Sequence, residues 1–228
     1  GALPARARQD QPHLVYLHKQ FTTHGTVGET YVVMAITNKD AGKKGISAFI
    51  LEKGMEGLII GKKENKLGMR ASDTTQLAFE NCKVPSENLL GEEGIGFINS
   101  MKVLEGGRIS IAACSVGLAQ GCLDASLKYS QERKQFNTQL FNFQAIQFKL
   151  AEMATNIEAA RMLTYRAASM KDAGIPNTKE AAEAKLFASE IAEKAASEAV
   201  QIFGGYGFIK EYPVEKFYRD VKLLTIGE

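Results

Sequence analysis

Hydrophobic residues recur along this chain with two different spacings, and the spacing changes near Gly94. From Leu14 to about Leu90, short runs of β-branched and aromatic residues alternate with turn signals, a pattern that predicts β-strands. The predicted strands cover residues 31–36, 45–51, 57–60 and 77–79. The breaks, at 38–42, 53–54 and 84–88, carry the Gly, Asn, Asp and Pro residues that turns require. We therefore expect a β domain in residues 14–92.

Beyond Gly94 the apolar positions are three or four residues apart, which is the spacing of one helical face. A long helix is predicted from Phe97 to Gln131. Two further faces are predicted, one formed by Ile146, Leu150, Met153, Ile157 and Ala160 and the other by Ala184, Phe187, Ile191, Ala195 and Ile202. Loops with helix-ending residues at 136–139 and 172–177 separate them. Strands and helices in separate blocks predict an α+β chain, with an antiparallel helical bundle in residues 93–228. Residues 1–13 show no periodicity and are predicted to be disordered or artefactual.

Composition narrows the classes of partner. The 28 basic and 26 acidic residues are spread along the chain, so neither a nucleic-acid nor a membrane partner is predicted. Cys82, Cys114 and Cys122 form neither a disulfide framework nor a metal-ligand pattern, so no metal site is predicted and a reducing intracellular compartment is favoured. We found no apolar run approaching the ~20 residues of a membrane span and no signal peptide, which predicts a soluble protein.

Two helical segments carry candidate binding chemistry. Residues 201–207 hold three glycines in four positions, which lets a backbone or a cofactor approach closely, although a helix end followed by a turn explains the same pattern. Arg133 and Gln144 flank a predicted helix end. An arginine there suits bidentate phosphate binding and a glutamine suits a polar ring, while capping of the helix is the plainer use of the charge.

Two further positions are candidates for substrate chemistry. Arg108 follows Gly106 and Gly107, which are predicted to interrupt or loosen the helix so that a ligand can approach, and a surface arginine is the alternative. Glu228 follows Gly227 at the end of an apolar run, where a carboxylate can act as a desolvated general base or be a solvated end.

Taken together and in order, these segments resemble the acyl-CoA dehydrogenase family from about Leu17 to Glu228. The signatures that carry the resemblance lie at residues 66–74, 79–85, 90–97, 132–136, 201–207 and 218–222. The resemblance implies a partial β-barrel-like middle domain followed by an antiparallel four-helix bundle. The segment 104–121 and the stretch 212–216 are closest to short- and branched-chain members.

The resemblance implies an FAD-dependent enzyme that removes hydrogens from Cα and Cβ of a short or branched-chain acyl-CoA to give a trans-2-enoyl-CoA. Glu228 stands where short- and medium-chain members carry the base that removes the α-proton. Other members place their glutamate at the position of Gly107, so the glycine there favours Glu228. Glu105 is the weaker candidate for the base. By resemblance Glu105, Gly106, Gly107 and Arg108 line the acyl-CoA site, with Lys43 and Phe97 as weaker contacts.

For the cofactor, residues 19–25 resemble the family's flavin-contacting segment, so Phe21 would pack on the flavin and Thr22 and Thr23 would contact its edge. Thr22 replaces the usual Ile, and His24 replaces the usual Asn. The resemblance assigns the FAD pyrophosphate and adenosine of a neighbouring subunit to Arg133, Gln144, Gln201, Ile202, Phe203, Gly204 and Gly205. It therefore implies a homodimer or homotetramer, with an electron-transfer flavoprotein as the electron acceptor. Asn137 and Glu183 depart from the family's usual residues, and either change could loosen that interface.

Whole family members carry more chain on both sides, so the sequence is expected to be a fragment with little activity of its own. An acyl-CoA oxidase-like flavoenzyme and an inactive scaffold are the alternatives that the sequence leaves open. The bacterial cytoplasm and the mitochondrial matrix are the expected compartments.

Overall fold

The structure, a computed structural model, describes residues 13–227 of the chain. Within that range the chain divides into two compact units. The first holds residues 13–66 and 70–102, and the second holds Leu67–Met69 together with the residues from Val103 onward. This division lies about ten residues beyond the sequence-based boundary at 92–93, because the first helical residues cluster with the strands.

The first unit is built from five strands. These are β1 (His13–Thr23), β2 (Thr30–Ile36), β3 (Ile46–Glu52), β4 (Leu58–Lys63) and β5 (Thr74–Val84). They form an antiparallel sheet in the order β1-β5-β4 and an antiparallel pair, β2-β3. The four predicted runs fall on β2 to β5, whereas the strand β1 was not predicted. A short 3₁₀ helix, Lys39–Gly45, joins β2 to β3.

Alternate residues of these strands form the core of the first unit. The buried members are Val15, Tyr31, Val33, Phe49, Leu51, Leu77, Phe79, Cys82 and Val84. Their spacing of two along each strand is the pattern from which the β domain was predicted. Across the described residues the strands make a three-stranded sheet and separate two-stranded sheets.

Four helices and a small hairpin supply the second unit. The helices are α1 (Gly96–Glu132), α2 (Gln144–Asp172), α3 (Thr178–Phe203) and α4 (Val214–Ile226), and α1 contributes to this unit from Val103 onward. Strands β6 (Lys134–Gln135) and β7 (Thr138–Gln139) form the hairpin. Phe136 and Asn137 make its two-residue turn with positive φ angles of 53° and 65°. Asparagine tolerates that region, so Asn137 can replace glycine there.

The predicted faces of α2 and α3 differ in how well they match the structure. On α2, Leu150, Met153, Ile157 and Ala160 are buried as predicted. The buried face of α3 consists mainly of small residues, namely Ala181, Ala184, Ala188, Ala192, Ala195, Ala196 and Ala199, with Ser189, Ile202 and Phe203. Phe187 and Ile191, predicted to lie in the core, are only partly buried at its margin. Small residues let neighbouring helices approach closely, and hydrophobicity alone underrates them.

Helix α1 corrects one expectation from the sequence. By length and composition it is apolar enough to cross a membrane, although no such run had been recognised. In the bundle its residues Ala112, Val116, Ala119, Cys122 and Leu123 are buried in the hydrophobic core. Core packing therefore accounts for the apolar character of the helix.

Candidate functional site

A cavity of about 540 Å³ lies where α1 and α3 end in the second unit. Arg133, the residue after the last residue of α1, lines it together with Ile202, Phe203, Gly204 and Gly205. The sequence assigned these five residues to one cofactor site, and the fold brings them together although they are about 70 positions apart. The cavity therefore combines a cation with a stretch of bare backbone.

Aromatic rings form one wall of this cavity. Tyr129 stacks on Phe203 with ring centroids 4.0 Å apart and planes 13° from parallel. The Arg133 guanidinium lies 5.1 Å from the centroid of the Tyr206 ring, within the range of a cation–π contact. Burial raises the pKa of the Tyr129 hydroxyl, which keeps it protonated, and it donates a hydrogen bond of 3.5 Å to the Phe203 carbonyl. The wall offers flat apolar surface beside one positive charge.

The three glycines at the end of α3 are needed for different structural reasons. Gly204 caps the helix with φ 60° and ψ −135°, a conformation that residues with a Cβ rarely adopt. A Cβ on Gly205 would meet no atom within 4 Å, so its bareness leaves the cavity open. A Cβ on Gly207 would lie 2.5 Å from the Val200 carbonyl oxygen, so this glycine is needed for packing. The glycine pattern thus both ends helix α3 and leaves the cavity open.

Two other predicted cofactor residues do not line this cavity. Gln144, the first residue of α2, and Gln201 on α3 are exposed, and neither is among the residues that line it. Conversely, Tyr129 and Tyr206 line the cavity and were missed. Tyr129 is four residues before Arg133, one helical turn away, so helical spacing was the signal that would have found it.

The predicted flavin-edge residues are the last three of strand β1 in the first unit, and a turn at residues 24–27 follows them. The pairing of β1 with β5 shifts register between Lys19 and Thr22, which marks a bulge. Phe21 sits in this bulge with φ 56° and is 76% exposed. A bulge re-aims a side chain out of the sheet, so the ring is free for a ligand. Thr22 is partly buried and Thr23 is exposed.

Asp73 holds this turn in place. Its main-chain oxygen accepts a hydrogen bond from the His24 N–H at 2.9 Å, and its Oδ2 accepts one from the Thr26 N–H at 2.8 Å. The hydrogen bonds from Thr26 lower the pKa of the Asp73 carboxyl below its ordinary value. His24 has φ 57°, a conformation that the family's usual asparagine adopts readily. The turn is therefore fixed by its backbone and not by the residue at position 24.

Lys43 and Phe97, predicted as weaker substrate contacts, are neighbours in the first unit. The Lys43 Nζ lies 5.0 Å from the centroid of the Phe97 ring. Lys43 belongs to the exposed 3₁₀ helix and Phe97 to the first turn of α1, where its side chain is partly buried. The pair presents a positive charge over an aromatic face.

The predicted acyl-CoA segment is a continuous part of α1. The helix runs through Gly106 and Gly107 without a break, so the predicted interruption is wrong. The Thr178 hydroxyl donates a hydrogen bond of 2.6 Å to Glu105 Oε1, which ties that carboxylate to the start of α3. The partly buried Arg108 side chain forms no ion pair or hydrogen bond with any of residues 13–227, and so it is available to a ligand. Glu228, the predicted base, lies outside the described residues.

Comparison with known proteins identifies the family of the chain. The family model described as acyl-CoA dehydrogenase, C-terminal domain, matches residues 94–228, and the one described as acyl-CoA dehydrogenase, middle domain, matches residues 3–82. The chain belongs to the acyl-CoA dehydrogenase family. Acyl-CoA dehydrogenases are FAD flavoproteins. The middle-domain match begins inside the segment 1–13 that the sequence analysis left out of the fold.

The matches to individual acyl-CoA dehydrogenases and their relatives cover nearly the whole chain. The short-chain specific acyl-CoA dehydrogenase of Clostridium acetobutylicum is 51% identical over 92% of this chain and 55% of its own length. The caffeyl-CoA reductase–Etf complex subunit CarC of Acetobacterium woodii is 47% identical over 95% of this chain and 57% of its own. The structure of butyryl-CoA dehydrogenase from Megasphaera elsdenii is 48% identical with a TM-score of 0.91, covering 94% of this chain and 56% of that one. The chain thus spans a little over half the length of these proteins.

Proposed function

We propose that the whole protein is an FAD-dependent acyl-CoA dehydrogenase that converts a short or branched-chain acyl-CoA into its trans-2-enoyl-CoA. The observation that carries the proposal is the cavity lined by Arg133, by the backbone of Gly204 and Gly205, and by aromatic rings. Family membership supplies the reaction class.

The cavity fits one part of the cofactor well. A guanidinium binds pyrophosphate oxygens in a bidentate fashion, and backbone without Cβ atoms allows a phosphate or a ring to come close. The flat faces of Tyr129 and Tyr206 suit an adenine ring. We therefore assign the adenosine diphosphate half of FAD to this cavity, and Gln144 and Gln201 stay as predicted contacts at its exterior.

The flavin itself is assigned to the turn at the end of β1, where Phe21 is exposed and Thr22 and Thr23 follow it. Whether the two halves of one FAD molecule are held by one subunit or by two depends on the assembly. Following the family resemblance, we propose a homodimer or homotetramer in which the Arg133 cavity serves the cofactor of a neighbouring copy.

In the proposed reaction the Glu228 carboxylate removes a proton from Cα of the thioester. FAD, when bound, supplies the acceptor for the hydride that leaves Cβ. Donors aimed at the thioester carbonyl stabilise the negative charge that develops on its oxygen, and the main-chain N–H of Glu228 is the donor that this chain provides. Desolvation of Glu228 beside the ligand would raise its pKa towards that of the activated substrate.

Glu105, Gly106, Gly107 and Arg108 are proposed to line the acyl-CoA site. Two observations support this assignment. Arg108 has no partner among the described residues, and an arginine suits the phosphates or polar atoms of coenzyme A. The Glu105 carboxylate is held by the Thr178 hydroxyl, which favours its role as a wall of the site. Lys43 and Phe97, which contact each other in the first unit, stay predicted substrate contacts.

The substrate and electron acceptor are proposed from the names of relatives. Short-chain specificity and butyryl-CoA stand in the names of two of them, and a third is a subunit of a complex with Etf. We propose a short acyl-CoA as the first substrate to test and an electron-transfer flavoprotein as the acceptor. We propose the bacterial cytoplasm or the mitochondrial matrix as the compartment, the expectation that the sequence gives.

The test uses the full-length protein with bound flavin. Butyryl-CoA and 2-methylbutyryl-CoA are added without oxygen, and the flavin absorbance is followed. We expect bleaching, which Glu228→Gln should slow by about 10³-fold or more while flavin content and acyl-CoA affinity stay unchanged. Glu211→Gln, a change at an exposed glutamate with no assigned role, is the control and should bleach normally.

Three outcomes would contradict parts of the proposal. Absence of bleaching by any acyl-CoA would refute dehydrogenation and favour an inactive scaffold. Turnover retained in Glu228→Gln would refute the base. Peroxide formed in air at the rate of substrate oxidation would indicate an oxidase in place of a dehydrogenase that passes electrons to a protein.

A further inference from the structure

Two sequence signatures that have no role in the site above contact each other in the second unit. Leu67–Met69 lies within the signature at 66–74, and Arg219 and Asp220 lie within the signature at 218–222 on α4. The Met69 N–H donates a hydrogen bond of 2.6 Å to Asp220 Oδ1. The Arg219 Nη1 donates one of 3.0 Å to the Leu67 carbonyl oxygen. The two ends of this three-residue segment thus bind consecutive residues of the helix.

The contact is close and specific. Asp220 is only 8% exposed, so the hydrogen bond from Met69 satisfies a carboxylate oxygen that water hardly reaches. Met69 adopts φ 46°, an uncommon conformation for a residue with a Cβ, and it points its N–H at that oxygen. A Cβ on Gly68 would lie 2.2 Å from the Arg219 carbonyl oxygen and 2.7 Å from the Asp220 Cα. Backbone therefore packs directly on backbone.

Arg219 is itself held in a fixed orientation. Its Nε and Nη2 donate to Glu215 Oε2 and Oε1 at 2.9 and 3.0 Å, a two-point contact one helical turn away. The hydrogen bond with Glu215 raises the pKa of Arg219. The guanidinium reaches Leu67 from an orientation that is already set, so less conformational entropy is lost in forming that contact.

We infer that the segment Leu67–Met69 positions α4 along its axis, and that Gly68 and Asp220 are positioning residues for the catalytic Glu228. The inference rests on the proposed function. Apolar burial of Val214, Val221 and Leu224 determines which face of α4 points to the core but resists a small slide weakly, since such contacts are not directional. Hydrogen bonds and a glycine contact are directional. Glu228 follows Ile226, the last residue of α4, by two positions, so a shift of the helix is passed on to it along the chain.

The test compares Gly68→Ala and Asp220→Ala with the control Lys222→Met in the full-length flavin-loaded enzyme. Lys222 also ties α4 to a neighbouring helix, through an exposed ion pair of 3.0 Å with Glu193. We expect the two positioning variants to lose about tenfold or more in kcat with acyl-CoA affinity and flavin content within twofold of wild type, because small misplacements of a reacting group are costly. The control should change kcat by less than twofold. Amide hydrogen exchange should rise in 214–226 and stay unchanged in 178–203.

The outcomes separate this inference from the proposed function. If kcat stays within twofold in both positioning variants while exchange in α4 rises, the segment is structural only and the inference is overturned. A loss of flavin or a general rise in exchange in both variants overturns it too, because the segment would then support the whole fold. If Glu228→Gln retains turnover, the proposed base fails, whatever the positioning variants do.

Discussion

The glycines at the end of α3 allow stability and cofactor binding to be separated within four residues. We consider alanine at Gly204, Gly205 and Gly207, one at a time. Gly207→Ala would place a Cβ 2.5 Å from the Val200 carbonyl oxygen and 2.9 Å from the Phe203 Cβ, so the backbone must shift. Overpacking of this kind costs about 1–3 kcal/mol. A Cβ at Gly204 meets no atom, but Gly204→Ala must adopt φ 60° and ψ −135°, a strained conformation that costs about 1–3 kcal/mol.

Gly205→Ala should behave differently from both. Its Cβ enters open space and its φ is not positive, so the free energy of unfolding should stay within about 0.5 kcal/mol of wild type. Because Gly205 lines the cavity, the added methyl group narrows the place proposed for the pyrophosphate. We expect the Kd for FAD to rise about tenfold, equivalent to about 1.4 kcal/mol.

For each variant, thermal unfolding of the apoprotein measures the Tm, and titration with FAD measures the Kd. At about 2–4 °C per kcal/mol, Gly207→Ala should lower the Tm by several degrees and Gly205→Ala by less than about 2 °C. If Gly205→Ala lowers the Tm as much as Gly207→Ala does, the conclusion that a Cβ at position 205 enters open space is wrong. If Gly205→Ala leaves the FAD affinity unchanged, the proposal that the pyrophosphate binds beside Gly205 is wrong, because among the three variants only this one alters the cavity without backbone strain.

Three further predictions concern the stability and reactivity of the units. Since the folded state lowers the pKa of Asp73, its stabilising contribution is complete above the unfolded pKa of about 3.8 and is lost as the pH falls through the lower folded value. The Tm gap between wild type and Asp73→Ala should therefore narrow as the pH falls below about 3.8, and a gap that stays constant or widens in acid would contradict this reasoning. Ile157 is 2% exposed, so Ile157→Ala should lower the free energy of unfolding by about 2–4 kcal/mol in a denaturant titration. The control Phe148→Ala, at a ring that is 60% exposed, should lower it by less than about 1 kcal/mol, and equal losses would contradict the assigned core. Cys114 is exposed, whereas Cys122 is buried and burial raises its pKa to about 12. At pH 8 a maleimide should therefore label Cys114 before Cys122, as measured by peptide mass spectrometry, and the reverse order would contradict the fold.

The candidate site was predictable where its chemistry is local in sequence. An arginine at a helix end and a glycine-rich helix end are visible from residue types alone, and the fold places both at one cavity. The tyrosines of its wall were missed, because an aromatic residue on a helix reads as core until its neighbours are known. For the same reason the exposed positions of Gln144 and Gln201 could not be foreseen.

The strand β1 was missed for a different reason. Its pairing with β5 joins residues about 60 positions apart, as in Leu17 with Phe79, and it contains a bulge at Phe21 that breaks the alternation of apolar and polar residues. Strand formation there depends on a distant partner, which a local pattern does not report. The hydrogen bonds between Asp220 and Met69 likewise join residues 151 positions apart.

By itself the sequence determined strands β2 to β5, helices α1 to α3, the buried face of α2 and the family, because periodicity and ordered signatures are properties of residues along one chain. Only the tertiary structure decided that alanines, and not Phe187 and Ile191, fill the centre of the α3 face, that α1 passes unbroken through Gly106 and Gly107, and that Leu67–Met69 holds α4. Close approach and directional hydrogen bonds depend on where distant segments meet in space. Hydrophobicity, which a sequence reports well, does not specify that position.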